Sequence, residues 1–196
     1  MKNDIIISGV GGQGIVSIAG IIGLAAVANN LYIKQSEVHG MSQRGGAVIS
    51  HCRLSDKPIA SDLVTYGKVD LVISVEPMEA LRYLPWLSDN GRLVTNSVPM
   101  INIPNYPDVD KVVEELKKYK NSLILDADAI AKEAGTIKAS NIVVLGAASP
   151  YIDIPFADIE QAVKTFFENK GEEIISINIK ALRAGRELSQ KKPLGI

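Results

Sequence analysis

Six residues near the start of the chain, Gly9-Val10-Gly11-Gly12-Gln13-Gly14, match the pattern G-x-G-x-x-G. The β-branched run Ile5-Ile6-Ile7 precedes them, and the apolar segment from Ile15 to about Ala28 follows. In this setting, glycines permit a tight turn from strand to helix and let backbone N–H groups approach a phosphate at the helix N-terminus. The same glycines would also serve a purely structural role, the close packing of helix on strand. The candidate cofactor-binding residues of this glycine turn are Gly9, Gly11, Gly12, Gln13 and Gly14.

The segment from Ile5 to Ala28 contains no charged residue, and about 18 or more apolar residues in a row can form a transmembrane helix. Lys2 in front of the segment raises the alternative of a signal peptide. However, the glycines break the segment into a short strand and a later helix, and Asp4 stands where a signal peptide favours positive charge. We therefore expect no membrane span. The helix has no polar face, so it should be buried on more than one side, and part of that cover can come from another subunit.

The acid that a dinucleotide site requires is missing from its usual place. An Asp or Glu about 20 residues after the glycine turn usually holds the ribose hydroxyls of NAD. Lys34, Gln35 and Ser36 occupy that region, and Glu37 is predicted to lie past the strand. NAD is therefore disfavoured, while Lys34 leaves open a free-standing reductase that binds the 2′-phosphate of NADP. A P-loop is excluded, because Gly14 is not followed by Lys and Ser or Thr.

A second polar segment, Gln35 to Gly46, lies between two predicted strands and places an imidazole, amides and a guanidinium in one loop. Arg44 is suited to bidentate contact with a carboxylate or phosphate, and the glycines after it permit close backbone approach. His39 can carry a proton near neutral pH. The alternative is a surface loop in which Arg44 pairs with Glu37. The candidate catalytic residues are His39 and Arg44, and the further candidate cofactor-binding residues are Gln43, Arg44, Gly45 and Gly46.

Strands and helices are predicted to alternate along the rest of the chain. Predicted strands cover residues 31–34, 47–54, 71–75, 92–96 and 123–125; predicted helices cover 76–84, 109–119, a segment after Pro155, and 178–188; residues 139–148 fit either. This alternation predicts an α/β fold, a single Rossmann-like domain over residues 1–196 with a mostly parallel sheet flanked by helices. Asp126 and Asp128 follow the predicted strand at 123–125, a position rich in ligands in α/β folds, but Asp there is also an ordinary helix cap, and we predict the cap. The tail at about 189–196 is predicted to be flexible.

The composition limits the chemistry that this chain can perform alone. Its single cysteine, Cys52, excludes an internal disulfide and fits a reducing cytoplasm. An iron–sulfur cluster usually takes about four cysteine ligands, and zinc would find only Cys52, His39 and His51. We therefore predict no metal site. Lys and Arg number 21 and Asp and Glu 22, a formal net charge of −1, which gives no reason to expect nucleic acid as a partner.

Taken together, these segments resemble the γ-type subunits of 2-oxoacid:ferredoxin oxidoreductases, and in particular the β subunits of the indolepyruvate ferredoxin oxidoreductases. The Gly-Gly-Gln-Gly core of the glycine turn resembles the first family signature. The segment from Ser36 to Gly46 resembles the second, and its Val-His-Gly-Met part is typical of the indolepyruvate branch. Residues 141–148 and 178–185 also resemble the family, so the likeness covers nearly the whole chain.

The resemblance implies a division of labour between subunits. A large α subunit is expected to hold thiamine diphosphate and [4Fe-4S] clusters, and the complex to decarboxylate aryl 2-oxoacids oxidatively with coenzyme A and ferredoxin. This chain is expected to hold no cofactor itself, and to help complete the catalytic or coenzyme A cavity through the glycine turn and the Arg44 loop. The alternatives are a γ subunit of a pyruvate or ketoisovalerate enzyme, the NADP-binding reductase, and a scaffold that only stabilises its partner.

Overall fold

A computed structural model describes residues 1–40, 45–101 and 103–194. Within those residues the chain forms six strands and seven α-helices. The strands are β1 (Lys2–Val10), β2 (Tyr32–His39), β3 (Ala47–Ser55), β4 (Val69–Ser74), β5 (Leu87–Asn96) and β6 (Ser122–Leu125). The helices are α1 (Ile15–Ala28), α2 (Pro77–Tyr83), α3 (Val109–Lys117), α4 (Ala127–Ala134), α5 (Ser140–Ala148), α6 (Phe156–Phe167) and α7 (Glu172–Lys191).

The strands form one mixed sheet in the order β2-β3-β1-β4-β5-β6. Strands β1, β4, β5 and β6 are mutually parallel, whereas β3 runs antiparallel to both β1 and β2. The predicted α/β fold with a mostly parallel sheet is therefore confirmed, with an antiparallel hairpin added at one edge. The hairpin arises because β2 turns directly into β3 instead of crossing over through a helix.

Helices cover the sheet on both faces and enclose two apolar cores. Helices α1, α4, α5, α6 and α7 bury the larger core, and α2 and α3 bury the smaller one on the opposite face. The ambiguous segment 139–148 is largely helix α5, in which Asn141 and every residue after it are buried. Because α5 is buried on all sides, its sequence lacks the separate polar and apolar faces by which a helix is usually recognised.

Helices α5 and α7 contain the two family-like segments from the second half of the chain, and they pack against each other. A Cβ atom at Gly146 would lie 2.0 Å from the backbone oxygen of Leu182, and one at Gly185 would lie 2.0 Å from that of Val143. Only glycine permits backbones to approach so closely. This crossing fixes the position of both helices beside the carboxyl ends of the parallel strands.

Two predicted boundaries need correction. Residues 35–39 belong to strand β2 rather than to a loop, because they pair in register with β3 as far as His39 with Val48. The tail is packed as far as Leu194, which is buried and whose N–H donates to the Tyr151 hydroxyl (3.0 Å). The prediction of a flexible tail is therefore wrong for residues 189–194; Gly195 and Ile196 lie outside the described residues. None of the helices in the described ranges is long and apolar enough to cross a membrane.

Candidate functional site

A cavity of about 990 Å³ opens at the carboxyl ends of the parallel strands, beside the segments that follow β1, β4 and β5. This is the position at which open α/β sheets usually bind ligands. Its polar wall consists of the glycine turn and of side chains from β5, α4, α5 and α7; its apolar wall includes Val98, Pro99, Met100, Ile137, Phe167, Ile174 and Ile177. A cavity of this size is in the range of small-molecule sites.

The glycine turn contributes Gly12, Gln13 and Gly14 to the cavity wall. Gly14 adopts a left-handed conformation (φ 80°) and begins α1 without a side-chain cap among the described residues. The first turn of α1 contains no acidic residue. No acidic side chain of the first turn therefore competes with an anion at this helix N-terminus, where a phosphate-binding turn places its ligand. Gly9 and Gly11 do not line the described cavity wall.

The side chain of Gln13 holds the turn in place. Its Oε1 accepts a hydrogen bond from the Val10 N–H (2.8 Å), and its Nε2 donates to the Val75 carbonyl oxygen (3.3 Å). One neutral amide thus joins the ends of β1 and β4. Gln13 lines the cavity, but both ends of its amide bind the protein, so its first role is structural.

Several further polar residues line the cavity and were not selected as site residues from the sequence, among them Asn141, Asn96 and Asp128. Asn141 donates from Nδ2 to the Gly14 carbonyl oxygen (3.2 Å), which fixes the turn against α5. Asn96 donates from Nδ2 to Asp128 Oδ1 (3.1 Å) and accepts from the Ala127 N–H (3.0 Å). Asn96 ends strand β5 and Asp128 lies in the first turn of α4, just after β6. This place at the carboxyl ends of parallel strands was the signal that could have pointed to them.

The segment after β5 is joined by a hydrogen bond to the N-terminus of α2, on the face of the sheet that carries the smaller core. The Tyr106 hydroxyl donates to Oε1 of Glu76, a fully buried residue. Glu76 Oε2 accepts the Glu79 N–H (2.8 Å) and caps α2. Burial, reinforced by the Glu76 carboxylate, raises the pKa of the Tyr106 hydroxyl above its usual range, so the phenol remains the donor.

The structure brings the two loop segments of the sequence together. The Gly11 N–H donates to the Gly46 carbonyl oxygen (2.8 Å), and the Gly40 N–H donates to the Ala47 carbonyl oxygen (2.9 Å). This contact follows from topology, because β2 runs parallel to β1 and ends at the same edge of the sheet. Gln43 and Arg44 lie outside the described residues, so their roles stay predictions, as does the proposed pairing of Arg44 with Glu37.

His39 does not line the described cavity. Its side chain is 56% exposed at the end of β2, and its Nε2 lies 3.3 Å from Glu37 Oε2. Lys34 lies on the same strand β2, closer to its start. At roughly 3.4 Å per residue, it is about 17 Å along the strand from His39. Its Nζ donates to the Ala60 carbonyl oxygen (3.1 Å). The NADP interpretation loses its support, because Lys34 lies toward the amino end of β1, away from the glycine turn.

Cys52 and His51 are enclosed by the protein. Cys52 is fully buried, and burial raises the pKa of its thiol to about 12, so it is unsuited to bind a metal. His51 accepts from the Val64 N–H (3.4 Å) and packs edge-on against Trp86, and burial lowers its pKa. Within the described ranges, no three His, Cys, Asp or Glu residues are grouped to hold a metal ion.

Several known proteins are similar to this chain in sequence. The chain is 36% identical over 194 residues to the indolepyruvate oxidoreductase subunit IorB of Archaeoglobus fulgidus, with 94% of each chain covered. It is 34% identical over 192 residues to IorB of Methanothermobacter thermautotrophicus, covering 94% of this chain and 96% of that one. It is also 31% identical over 188 residues to the pyruvate/ketoisovalerate oxidoreductases common subunit gamma of Pyrococcus furiosus, covering 93% of each.

Solved structures share the fold at lower identity. A 2-oxoglutarate:ferredoxin oxidoreductase chain from Magnetococcus marinus aligns with a TM-score of 0.78 and 19% identity; the alignment covers 99% of this chain and 32% of that longer chain. The pyruvate oxidoreductase subunit PORC of Thermotoga maritima aligns with a TM-score of 0.72 and 22% identity, covering 95% of this chain and 96% of that subunit. Residues 4–188 match the family described as pyruvate ferredoxin/flavodoxin oxidoreductase. On this match and these identities, the chain belongs to that family of oxidoreductase subunits.

Proposed function

We propose that this chain is the small subunit of an indolepyruvate-type ferredoxin oxidoreductase in the cytoplasm. The complex converts an aryl 2-oxoacid and coenzyme A into an aryl-acetyl-CoA, CO2 and reduced ferredoxin. In that reaction the bond to the carboxylate breaks and a carbon–sulfur bond forms, while two electrons leave to ferredoxin and one proton is released. The observation that carries the proposal is identity of 33–36% to IorB subunits over more than nine-tenths of the chain.

The redox cofactors belong, in this proposal, to a large partner subunit. Thiamine diphosphate would supply the electron sink for decarboxylation, and [4Fe-4S] clusters the path to ferredoxin. The residues of this chain do not fit a cluster, since the single thiol, Cys52, is fully buried and firmly protonated. No step of the reaction is therefore assigned to a cofactor held here.

The contribution of this chain is to bind and orient coenzyme A beside the partner's reaction centre. At the N-terminus of α1, which has no side-chain cap among the described residues, backbone N–H groups of the first turn can donate hydrogen bonds to phosphate oxygens. The apolar wall from Ile137 and Ile174 can contact the adenosine end of the ligand. Asp128, held by Asn96, can accept a hydrogen bond from a ligand donor. Such binding raises the reaction rate by placing the thiol correctly.

The decisive experiment is to co-express the chain with its large subunit and to assay dye reduction with indolepyruvate, phenylpyruvate, pyruvate and 2-ketoisovalerate. We expect coenzyme A-dependent turnover with the aryl substrates in preference to the small ones. Preference for pyruvate or ketoisovalerate would favour the other branch, to which the Pyrococcus furiosus similarity points. Full turnover without this chain would support a scaffold.

Arg44→Ala tests the second loop in the same assay. If the guanidinium holds a charged group of substrate or coenzyme A, turnover should fall roughly ten- to a hundredfold, the equivalent of about 1.5–3 kcal/mol. We expect the free energy of unfolding to change by only about 0.5 kcal/mol or less, because the sequence predicts a polar, glycine-flanked segment in which truncation removes no core volume. Full activity in the assembled complex would contradict a role in binding, and failure to assemble would assign Arg44 to the subunit interface instead.

A further inference from the structure

We propose that Glu76 and Tyr106 are positioning residues for coenzyme A, because the hydrogen bond between them fixes the relative position of two walls of the cavity. One wall is the glycine turn, and the other is formed by residues 98–100, after β5. Neither Glu76 nor Tyr106 lines the described cavity, so both act through the residues that do. The inference rests on the proposed function, since it takes coenzyme A as the ligand of that cavity.

Glu76 is an unusual helix cap. It is the N-cap of α2, a position at which the shorter side chains of Ser, Thr, Asp and Asn are preferred. It is fully buried, and no Lys, Arg or His of the described residues forms an ion pair with its carboxylate. Such burial is costly, and capping alone does not require it. The longer side chain lets one oxygen accept the Glu79 N–H (2.8 Å) while the other accepts the Tyr106 hydroxyl.

Tyr106 anchors the segment that follows β5. Of the described residues in the range 100–108, Tyr106 alone is not exposed. Its hydroxyl donates to the buried carboxylate, and hydrogen bonds from a hydroxyl to a carboxylate are among the stronger ones in proteins. At the other end of the segment, Asn96 Oδ1 accepts the Val98 N–H (3.3 Å). The cavity wall at residues 98–100 therefore lies between two anchors.

Val75, the residue before Glu76, joins the same anchor to the glycine turn. The Val75 N–H donates to the Ser8 carbonyl oxygen (3.0 Å), and the Val75 carbonyl oxygen accepts from Gln13 Nε2 (3.3 Å). The side chain packs closely on the turn, since a Cβ atom at Gly9 would lie 2.4 Å from Val75 Cγ2. A displacement of Glu76 would therefore move Val75 and, with it, the turn.

Two buried serines complete the connection. Ser8 Oγ donates to Ser74 Oγ (3.0 Å), and Ser74 Oγ donates to the Glu76 carbonyl oxygen (2.7 Å). Both serines are fully buried. Hydrogen bonds thus run from the end of β1 across β4 to Glu76, and from its side chain to Tyr106. Buried networks whose members are all paired are rigid, so the loss of one member is felt by the others.

This arrangement acts on the affinity for coenzyme A. A ligand that contacts both walls binds more tightly when their separation is fixed beforehand, because little free energy is then spent on ordering the site. In the proposed function, the redox chemistry takes place on the large subunit. Once coenzyme A saturates the complex, turnover should therefore depend little on how firmly the two walls are joined.

The test is Tyr106→Phe in the complex assembled with the large subunit, with Tyr119→Phe as the matched control. Each substitution removes one hydrogen-bonded hydroxyl from a half-buried ring. The Tyr119 hydroxyl donates to the Gly91 carbonyl oxygen (2.9 Å), and neither of these two residues lines the described cavity. Dye reduction is measured across coenzyme A concentrations, and binding of coenzyme A by isothermal titration calorimetry.

We expect Tyr106→Phe to raise both the KM and the Kd for coenzyme A by about three- to tenfold, part of the effect of a lost hydrogen bond to a carboxylate. The kcat and the KM for the 2-oxoacid should stay within about twofold of the wild type. Tyr119→Phe should leave the KM and the Kd for coenzyme A unchanged, even where it lowers the melting temperature as much.

Two variants of Glu76 test its side of the contact. Glu76→Gln keeps the length of the side chain, and its amide can accept the Glu79 N–H and donate to the Tyr106 hydroxyl, so the KM for coenzyme A should stay within about twofold of the wild type. Glu76→Asp still caps α2 but is too short to reach Tyr106, so the KM should rise as in Tyr106→Phe. Combining Glu76→Asp with Tyr106→Phe should add no further rise, because both remove the same hydrogen bond.

Three results would overturn the inference: an unchanged KM for coenzyme A in Tyr106→Phe, an equal rise in Tyr119→Phe, or a lower kcat at an unchanged KM. In each case the wild-type complex still needs this chain to bind coenzyme A, so the proposed function stands. A large subunit that binds coenzyme A equally well without this chain would contradict the proposed function, and the inference would fail with it.

Discussion

The two ends of strand β1 are built from different chemistry. At its amino end, Asp4 is almost fully buried and forms a two-point ion pair with Arg53, with Oδ1–Nε at 2.7 Å and Oδ2–Nη2 at 3.2 Å. Lys2 Nζ lies 2.7 Å from the same carboxylate, and Asp70 accepts the Asp4 N–H (2.7 Å). Charge at this end joins β1 to both neighbouring strands.

The carboxyl end of β1 is held by neutral groups. Gln13 and Asn141 bind backbone groups of the turn, and Gly11 is joined to Gly46 through the backbone alone. The first turn of α1 contains no acidic residue and no side-chain cap among the described residues. The comparison teaches that a buried ion pair joins the strands at the amino end of β1, whereas neutral amides and backbone groups hold the glycine turn at its carboxyl end.

Asp4→Ala should lower the free energy of unfolding more than the other substitutions, because it disrupts the ion pair at the amino end of β1. The substitution leaves the half-buried Arg53 guanidinium without its carboxylate, and removing one partner of a buried ion pair typically costs about 3–5 kcal/mol. Urea denaturation followed by circular dichroism measures the loss. Asp56→Ala is the matched control, because Asp56 pairs with the N-terminal amine (2.8 Å) at the same end but is exposed. Equal urea midpoints for the two variants would contradict the distinction between the ends.

Gly14→Ala tests the carboxyl end of β1, and we expect it to lower the free energy of unfolding by less than Asp4→Ala does. The left-handed conformation alone costs an L-residue about 1–2 kcal/mol, and the new Cβ would lie 2.4 Å from Asn141 Nδ2. Gly12→Ala is the control, because its φ is +101° but no atom lies within 4 Å of its added Cβ. We expect Gly14→Ala to lower the free energy of unfolding more than Gly12→Ala. Adding Asn141→Ala should restore part of the difference; strictly additive effects would count against the contact.

Asp70→Asn gives the smallest effect and depends on pH. Burial is the main cause that raises the pKa of Asp70, against the opposing hydrogen bond from the Asp4 N–H. The folded chain then takes up a proton more readily than the unfolded chain, so the stabilising effect of protonation is present at low pH and lost as pH rises through the folded pKa. Asn cannot ionise, so the variant should gain stability relative to the wild type at neutral pH and lose that advantage only as the pH falls below the ordinary Asp value of about 4.

The exposed Asp56 should show the opposite sign in the same titration. The hydrogen bond from the N-terminal amine lowers its pKa, so its contribution is present at neutral pH and is lost as pH falls. Asp56→Asn should therefore be less stable than the wild type near neutral pH and approach it in acid. Parallel pH profiles for the Asp70 and Asp56 variants would contradict the assignment of one carboxylate to a buried junction and the other to an exposed pair.

Local sequence was sufficient for the elements that carry their own signals. The glycine turn predicted the β1–α1 unit. Of the two carboxylates predicted as helix caps, Asp126 is the cap, its Oδ1 accepting the Ala129 N–H at 2.8 Å, whereas the prediction was wrong for Asp128, which lies inside the first turn of α4. Helix α1 begins and ends where its apolar run does. The correct predictions succeeded because turn geometry, capping and side-chain period depend on residues only a few positions apart.

Other features depended on partners far along the chain. The end of β2 at His39 follows from pairing with β3, and helix α5 is buried on all sides by elements that its own sequence does not specify. The sequence grouped His39 with Arg44 because they are neighbours in one segment. Strand pairing then carried His39 out of the described cavity wall, whereas α5 and β5 brought Asn141 and Asn96 into it.

The sequence by itself determined the α/β class, the turn that opens α1 and the absence of enough cysteines for a cluster. Only the tertiary structure decided which polar groups surround the cavity, that Gly11 and Gly46 meet, and which side of α1 stays uncovered. The physical reason is distance along the chain: local signals act within a few residues, while a cavity wall is assembled from segments more than a hundred residues apart, such as Gly14 and Asn141.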